Sequence, residues 1–214
     1  MIIRRNKTRA LRINGTLHGN LIRYCHFRIL VVKSGNTTDA GGEPLEFNDI
    51  YDKNRNLTGR VHCRGTRWKA GEYGLVVCVW VYDGKGNLLL TRRAPGKSFA
   101  GTWENSGGAA KAGEHSRQAI ARELFEETGI RAGEEEFELL GSSRDRNTHF
   151  DFYCLKRQTP LEEIVLLPGE TDDAQWASMH QVRQMVRSGE ICRVIGRQFR
   201  RQEQDLLARQ SAQD

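Results

Sequence analysis

Two strongly apolar stretches near the middle of the chain are separated by a short polar turn. The first, GLVVCVWVYD, covers residues 74–83, and the second, NLLLTRRA, covers residues 87–94. Runs of this length that are rich in valine and leucine and bounded by glycine, aspartate and asparagine predict buried β-strands. The DGKGN segment between them is typical of a hairpin turn. The pattern therefore predicts a β-hairpin at the centre of the protein.

The flanking segments alternate between strand-like and helix-like patterns. EFNDIYDKNRNLTGR is predicted as strand, turn and strand, and further strands are predicted in FELLGSSRDRN, HFDFYCLKRQ and TDDAQWASM. PGKSFAGTWENSGG is predicted as a loop that leads into a helix, and MHQVRQMVRSGE and CRVIGRQFRRQEQDLLARQ are predicted as later helices. This order of strands, helix, strands and helices predicts an α/β sandwich with a mixed sheet.

The central helix is predicted within GGAAKAGEHSRQAIARELFEETGI, residues 107–130. Ser116 or His115 can cap its start, and Gly129 stands where a helix commonly ends in a left-handed residue. At about 100° per residue, three carboxylates share one face of this helix. They belong to Glu123, Glu126 and Glu127.

This acidic face has two interpretations. Like charges three or four residues apart oppose helix formation by roughly 0.2–0.5 kcal/mol per pair, and the sequence shows no local compensation for that cost. One interpretation is a solvated acidic surface. The other is a cation site, since three convergent carboxylates suit a hard, oxygen-preferring ion such as Mg²⁺.

The wider spacing favours the cation site. Gly108 is followed after five residues by Glu114, and after seven more by the run RELFEETGI. This arrangement resembles the Nudix box, G-x5-E-x7-R-E-U-x-E-E-x-G-U with U a bulky aliphatic residue, and every fixed position is filled. The chain is therefore identified as a member of the MutT-like Nudix hydrolase superfamily. That resemblance implies a Nudix-type α/β/α sandwich with a mixed β-sheet.

The resemblance also implies a metal centre. Four residues match the family's metal-binding positions: Glu123, Glu126, Glu127 and, through its carbonyl, Gly107. Arg122 and Glu114 match positions that support the loop and the helix. The implied cofactor is Mg²⁺, with Mn²⁺ as an alternative.

Outside the box, the chain from about Glu46 to Gly189 resembles the isopentenyl-diphosphate isomerase-type subgroup of Nudix proteins. The matching segments are YDKNRNLTGR, EYGLVVCVWV, LLLTRRAPGKSFAGTW and SGG. Arg93 ends the strand before the substrate loop and is a candidate for holding a phosphate oxygen, with a surface salt bridge as the alternative. Lys97 is a second candidate substrate-binding residue, with a solvated loop lysine as the alternative.

Further candidates lie towards the C-terminus. Glu170 in PGETDDAQW matches a glutamate that binds metal or activates water in many Nudix hydrolases, although the neighbouring aspartates offer similar chemistry. The segment GSSRDRNTHFDF contains three more candidate substrate contacts, which turn solvation explains equally well. They are Arg144, Arg146 and His149.

The resulting functional prediction is Mg²⁺-dependent hydrolysis of a diphosphate linkage. The expected substrate is a nucleoside diphosphate linked to another moiety or a related organic diphosphate, and Glu123 or Glu170 is the expected base. An isomerase of allylic diphosphates is one alternative, but that family carries a cysteine in a stretch resembling W-T-N-T-C, where this chain has WENSG and hence Gly107. A non-catalytic nucleotide-binding sensor is the other alternative.

Composition adds expectations about location and partners. The five cysteines are scattered and contain no C-x-x-C pair, which predicts reduced thiols and a cytoplasmic location. No stretch approaches the roughly 20 apolar residues of a membrane span. The expected partner is a small-molecule diphosphate rather than a membrane, and a homodimer is left open.

The charge is unevenly distributed along the chain. The net charge is +6, yet residues 1–40 hold eight Lys/Arg and one acidic residue, while the remainder holds 25 Lys/Arg and 26 Asp/Glu. Because the basic charge lies outside the body of the protein, nucleic acid is not favoured as a partner. The sequence predicts a flexible basic extension over residues 1–42 and a Nudix domain over residues 43–214. A transit-type leader, or residues translated from an upstream start, are the alternatives for the extension.

Overall fold

The computed structural model describes residues 22–25, 28–31 and 45–211. Contacts divide the chain into two units, Met1–Leu45 and Glu46–Asp214. In the first unit, strands β1 (Ile22–Cys25) and β2 (Arg28–Val31) form an antiparallel pair. The other residues of the predicted 1–42 extension, and with them its predicted flexibility, lie outside the described residues.

The second unit contains the remaining strands and all the described helices. Its strands are β3 (Phe47–Tyr51), β4 (Leu57–Cys63), β5 (Gly74–Tyr82), β6 (Asn87–Arg93), β7 (Trp103–Glu104), β8 (Ser106–Ala109), β9 (Glu138–Asp145), β10 (Thr148–Lys156) and β11 (Thr171–Ser178). Its helices are α1 (Ser116–Thr128), α2 (Met179–Ser188) and α3 (Arg193–Ser211), with short 3-10 turns at Glu134–Glu136 and Leu161–Glu163. Among the described residues, no helix is both long enough and apolar enough to cross a membrane.

The main sheet has seven strands and mixed direction. Its central order is β11-β6-β5-β10-β9, with β7 paired to β6 and β8 paired to β5. β10 runs parallel to β5, whereas the other pairs in this sheet are antiparallel. β3 and β4 form a separate antiparallel pair. The predicted mixed sheet is confirmed.

The predicted central hairpin forms only next to its turn. β5 and β6 share the single register pair Tyr82 and Leu88, after which the two strands separate. β8 then pairs with β5, and β7 pairs with β6. The prediction of a continuous loop over PGKSFAGTWENSGG is therefore wrong at its end, because SGGA has little strand propensity and becomes a strand only by pairing with β5.

The main sheet carries a hydrophobic core on each face. On one face, Ala119, Ile120 and Leu124 of α1 pack against β5 and β10. On the other face, α2 and α3 cover a cluster that includes Trp80, whose indole nitrogen donates to Gln202 of α3 over 2.9 Å. Helices on both faces of one mixed sheet give the predicted α/β/α sandwich.

Candidate active site

Helix α1 presents the predicted acidic face because both of its ends and its apolar face are fixed. His115 is the N-cap and exchanges hydrogen bonds with Gln118, and Gly129 ends the helix in the left-handed region at φ 73°. The buried side chains of Ala119, Ile120 and Leu124 fix the rotation of the helix on the sheet. The carboxylates of Glu123 and Glu127 therefore face the Gly-rich strand β8, whereas Glu126 is more exposed and contacts Arg122 and Lys111.

Arg122 contacts two of the glutamates on this acidic face and also Glu114. Its Nε and Nη2 donate to Glu114 over 2.7 and 3.0 Å, and its Nη1 lies 2.9 Å from both Glu123 and Glu126. Nη2 also donates to the carbonyl of Ala109 over 3.2 Å. The expectation that the glutamates lack local compensation is therefore wrong for Glu123 and Glu126. The supporting role that the resemblance implied for Arg122 and Glu114 agrees with these contacts.

Two glycines in β8 allow the glutamates to approach the sheet. The amide of Gly107 donates to Glu127 Oε2 over 3.2 Å, and a Cβ on Gly108 would lie 2.5 Å from the Glu123 carboxylate. Burial raises the pKa of Glu123, although the charge of Arg122 opposes this shift. Burial, together with the charges of Glu104 and Glu123, holds the pKa of Glu127 well above its ordinary value.

Glu104 on β7 is a member of this site that the sequence did not reveal. Its side chain is 13% exposed and lies 2.5 Å from Arg93 Nη1. Burial raises the pKa of Glu104 even with this guanidinium beside it. A single glutamate in a predicted loop carries no spacing signal, and only the pairing of β7 with β6 brings Glu104 close to Glu127.

The other predicted site residues are engaged with each other or with Glu104. Arg93 uses Nη1 for Glu104 and Nε for the carbonyl of Ser98, the latter over 2.5 Å. Lys97 forms an ion pair with Glu170. The backbone carbonyl of Glu170 accepts from the amide of Ala94, next to Arg93, over 2.9 Å, and the charge of Glu170 also raises the pKa of Glu104. The structure thus brings Arg93, Lys97 and Glu170 to the same end of the site.

The carboxylates can be tested for their fit to the implied metal. Within residues 45–211, no three His, Cys, Asp or Glu side chains converge closely enough to hold an ion in the observed geometry. However, Glu104, Glu123 and Glu127 are largely withdrawn from water, and the charges of Glu104 and Glu123 raise the pKa of Glu127. Their oxygens are the donors that hard divalent cations prefer, and a cation would relieve their repulsion. The donor set therefore fits Mg²⁺ or Mn²⁺.

A buried aspartate holds the start of the box helix. Asp151 of β10 is 1% exposed and accepts hydrogen bonds from Ser116 Oγ, Ser142 Oγ and the Arg55 guanidinium. Burial alone would raise the pKa of Asp151, but these donors lower it below its ordinary value. Sequence reasoning missed this network because its members come from four separate elements.

Comparisons with known proteins agree with this architecture. Residues 72–192 match the family model described as the NUDIX domain. An uncharacterised Nudix hydrolase from Listeria monocytogenes is 32% identical over 154 residues, which cover 69% of this chain and 88% of that protein. A crystal structure of DR0079 from Deinococcus radiodurans superposes with a TM-score of 0.57 at 20% identity, covering 69% of this chain and 92% of that one, and shows the same fold.

A more local similarity links the chain to an isomerase. An isopentenyl-diphosphate Delta-isomerase from Halorhodospira halophila is 40% identical over 73 residues, which are 33% of this chain and 39% of that protein. The family match and the Listeria relative span most of the second unit. The chain therefore belongs to the Nudix hydrolase family, whose members act on pyrophosphate bonds.

Proposed function

We propose that this protein hydrolyses, with a divalent cation, the diphosphate linkage of a nucleoside diphosphate joined to another moiety or of a related organic diphosphate. The observation that carries the proposal is the set of withdrawn carboxylates of Glu104, Glu123 and Glu127 against the Gly107-Gly108 backbone. Such a set suits a cation that neutralises a diphosphate.

The protein's own residues would prepare this site. Arg122 fixes the carboxylates of Glu123 and Glu126, and the Gly107 amide fixes Glu127. Glu123 and Glu127 would hold Mg²⁺ or Mn²⁺, together with Glu126 and the Gly107 carbonyl as the further ligands that the resemblance implies, and the charge of Glu104 acts on Glu127 beside them. When bound, the cation would lower the pKa of a water molecule and offset the charge of the substrate.

The base remains a choice between two glutamates. The Glu123 side chain is 14% exposed and held by Arg122, whereas the Glu170 side chain is 43% exposed and paired with Lys97. A base must exchange its proton with water, so we favour Glu170 for proton transfer and Glu123 for holding the metal. Lys97 would exchange its carboxylate partner for a substrate phosphate. Arg93 already uses two nitrogens within the protein, which favours an orienting role on Glu104 over a bidentate phosphate contact.

Backbone packing argues against the isomerase alternative. Gly107 occupies the position of the isomerase cysteine, and it pairs with Cys78 of β5. A Cβ at this position would lie 2.2 Å from the carbonyl oxygen of Val77, far closer than packing permits. The strand arrangement therefore has no room for a side chain where that chemistry needs a thiol.

The cysteines and the charge distribution also support a proposal for the protein's cellular location and its partners. Cys78, Cys154 and Cys192 are buried and form no disulfide, which supports a reducing, cytoplasmic environment. We propose a small-molecule diphosphate as the substrate and regard nucleic acid as disfavoured. A homodimer stays a prediction.

The test is a panel of nucleoside diphosphate derivatives and organic diphosphates given to the purified full chain. Reactions would contain Mg²⁺, Mn²⁺ or EDTA and would run in ¹⁸O-labelled water. We expect metal-dependent cleavage with label in a phosphate product. Conversion of isopentenyl to dimethylallyl diphosphate with the diphosphate intact would establish the isomerase instead, and tight nucleotide binding without turnover would establish the sensor.

A further inference from the structure

A basic groove lies away from the Nudix box, between the turn that joins β3 to β4 and the hairpin of β9 and β10. Its volume is about 350 Å³. Three cationic residues line it, Lys53, Arg55 and Arg144, and no aspartate or glutamate is among its lining residues. The volume lies at the lower end of the roughly 300–1,000 Å³ typical of small-molecule sites. We call this cavity the basic groove.

The walls of the basic groove are tied to each other. Arg144 Nη1 donates to the carbonyl of Lys53 over 2.6 Å, and His149 Nε2 lies 2.9 Å from the carbonyl of Asp52. Arg55 adopts the left-handed backbone conformation at φ 68°, which non-glycine residues rarely do. Such strain persists only where surrounding contacts enforce it. These contacts join the two turns that form the groove.

Two of the three cations that line the groove have no carboxylate partner among the described residues, although the Arg144 guanidinium also lies over the Tyr73 ring. Asp151 lies behind the wall and neutralises Arg55 through two nitrogens of the guanidinium. Within the part of the chain that the structure describes, neither Lys53 nor Arg144 forms an ion pair. The nearby carboxylate of Asp52 accepts from Asn54 and Asn56 instead and does not line the groove.

The groove also contains polar groups beside the cations. Ser142, Ser143 and Asn54 are among its lining residues. Cations, hydroxyls and an amide side chain, without carboxylates, are the donors that recognise a phosphoryl group.

We propose that the basic groove is a second, non-catalytic site that binds a phosphate monoester about the size of a mononucleotide. Its position separates it from the box. Asp151, behind the groove, contacts Ser116 in the first turn of α1, and Glu123 follows seven residues later, about 10 Å along the helix. Arg144 and His149, two of the candidate substrate contacts from the sequence, belong to this groove.

The test is equilibrium binding of adenosine 5′-monophosphate, inorganic phosphate and adenosine to the full chain in EDTA, by calorimetry. We expect the two phosphates to bind and adenosine not to bind. The double variant K53Q/R144Q should weaken binding of the monophosphate at least tenfold, and K53Q alone about threefold. Within the described residues the Lys53 ammonium forms no ion pair, so we expect K53Q to fold normally. R200Q, which removes an exposed cation on α3, is the matched control and should leave the affinity unchanged.

Binding in the basic groove can be distinguished from binding at the Nudix box. Amide shifts in a ¹H–¹⁵N spectrum should cluster at residues 53–55 and 142–149, and E126Q should bind the monophosphate as the wild type does. The proposal is overturned if adenosine binds as tightly as its monophosphate, if K53Q and K53Q/R144Q leave the affinity unchanged, or if E126Q abolishes binding. None of these results depends on whether the box hydrolyses diphosphates.

Discussion

Arg93 Nη1 lies 2.5 Å from Glu104 Oε1, so the arginine predicted to bind substrate is instead joined to a carboxylate that the sequence did not single out. Nε of the same guanidinium donates to the carbonyl of Ser98. Arg93 therefore links the loop after β6 to the carboxylates of the box. Arg93 thus has two candidate roles that can be tested against each other, namely binding a substrate phosphate and orienting Glu104.

We expect Arg93 and Glu104 to act as a unit in turnover. Arg93→Gln and Glu104→Gln should each lower kcat by roughly 10–100-fold, and the double variant should lose little more than either single variant, because both remove the same arrangement. Steady-state kinetics on the preferred diphosphate measure this cycle. Additive losses, with Arg93→Gln acting mainly on KM, would instead show that Arg93 contacts the substrate.

Glu127→Gln should lower turnover by on the order of 10²-fold or more without unfolding the protein, because it removes a metal-ligand charge rather than a core contact. Since burial and neighbouring carboxylates raise the pKa of Glu127, the neutral side chain should leave the metal-free protein at least as stable as the wild type. Added Mg²⁺ should raise the Tm of the wild type more than that of the variant.

Glu162→Gln, at an exposed position, is the control. Near wild-type turnover of Glu127→Gln at saturating Mg²⁺ would disprove the metal assignment.

Asp151→Asn should destabilise the protein by about 3 kcal/mol, as expected for breaking a buried ion pair whose partner Arg55 still reaches water. The pKa of Asp151 is lowered in the folded state, so its stabilisation is complete above the unfolded pKa of about 3.9 and is lost as the pH falls through the folded value. Urea unfolding from pH 7 to pH 3 should show the difference from the wild type shrinking below about pH 4. Asp205→Asn, on the exposed side of α3, should show no such difference. A constant difference across this range would contradict the linkage.

Gly107→Cys should destabilise the protein by about 3 kcal/mol and should not produce isomerase activity, because its Cβ would meet the carbonyl oxygen of Val77 at 2.2 Å. Gly133→Ala is the control, since its Cβ would meet only the mobile carboxylate of Glu135. Chemical denaturation of both variants measures the cost. A stable Gly107→Cys protein that isomerises isopentenyl diphosphate would restore the isomerase interpretation.

Deletion of residues 1–42 should leave folding and hydrolysis largely intact, because the charge and composition of the chain change near Glu43. Circular dichroism, thermal unfolding and kcat/KM of the truncated protein provide the measurement. Insolubility, or a loss of substrate binding, would show that this segment docks on the second unit and that the predicted boundary is wrong.

The sequence by itself determined the long elements, the fold class and the family. The apolar runs that became β5 and β6 and the helix from Ser116 to Gly129 carry local periodicity and capping signals, which need no distant partner to be recognised. The box is equally local, because residues 107–130 occupy one strand, one turn and one helix. The spacing alone could therefore place its glutamates on one helix face, and the family resemblance supplied their predicted role as metal ligands.

Only the tertiary structure decided which residues surround that box. Glu104 joins the site because β7 pairs with β6, SGGA becomes a strand because β5 accepts it, and Arg93 turns to a carboxylate rather than to solvent. The basic groove likewise combines a turn near residue 54 with a hairpin near residue 146. These are contacts between residues far apart in the chain, which depend on strand register and packing, and no short-range pattern encodes them.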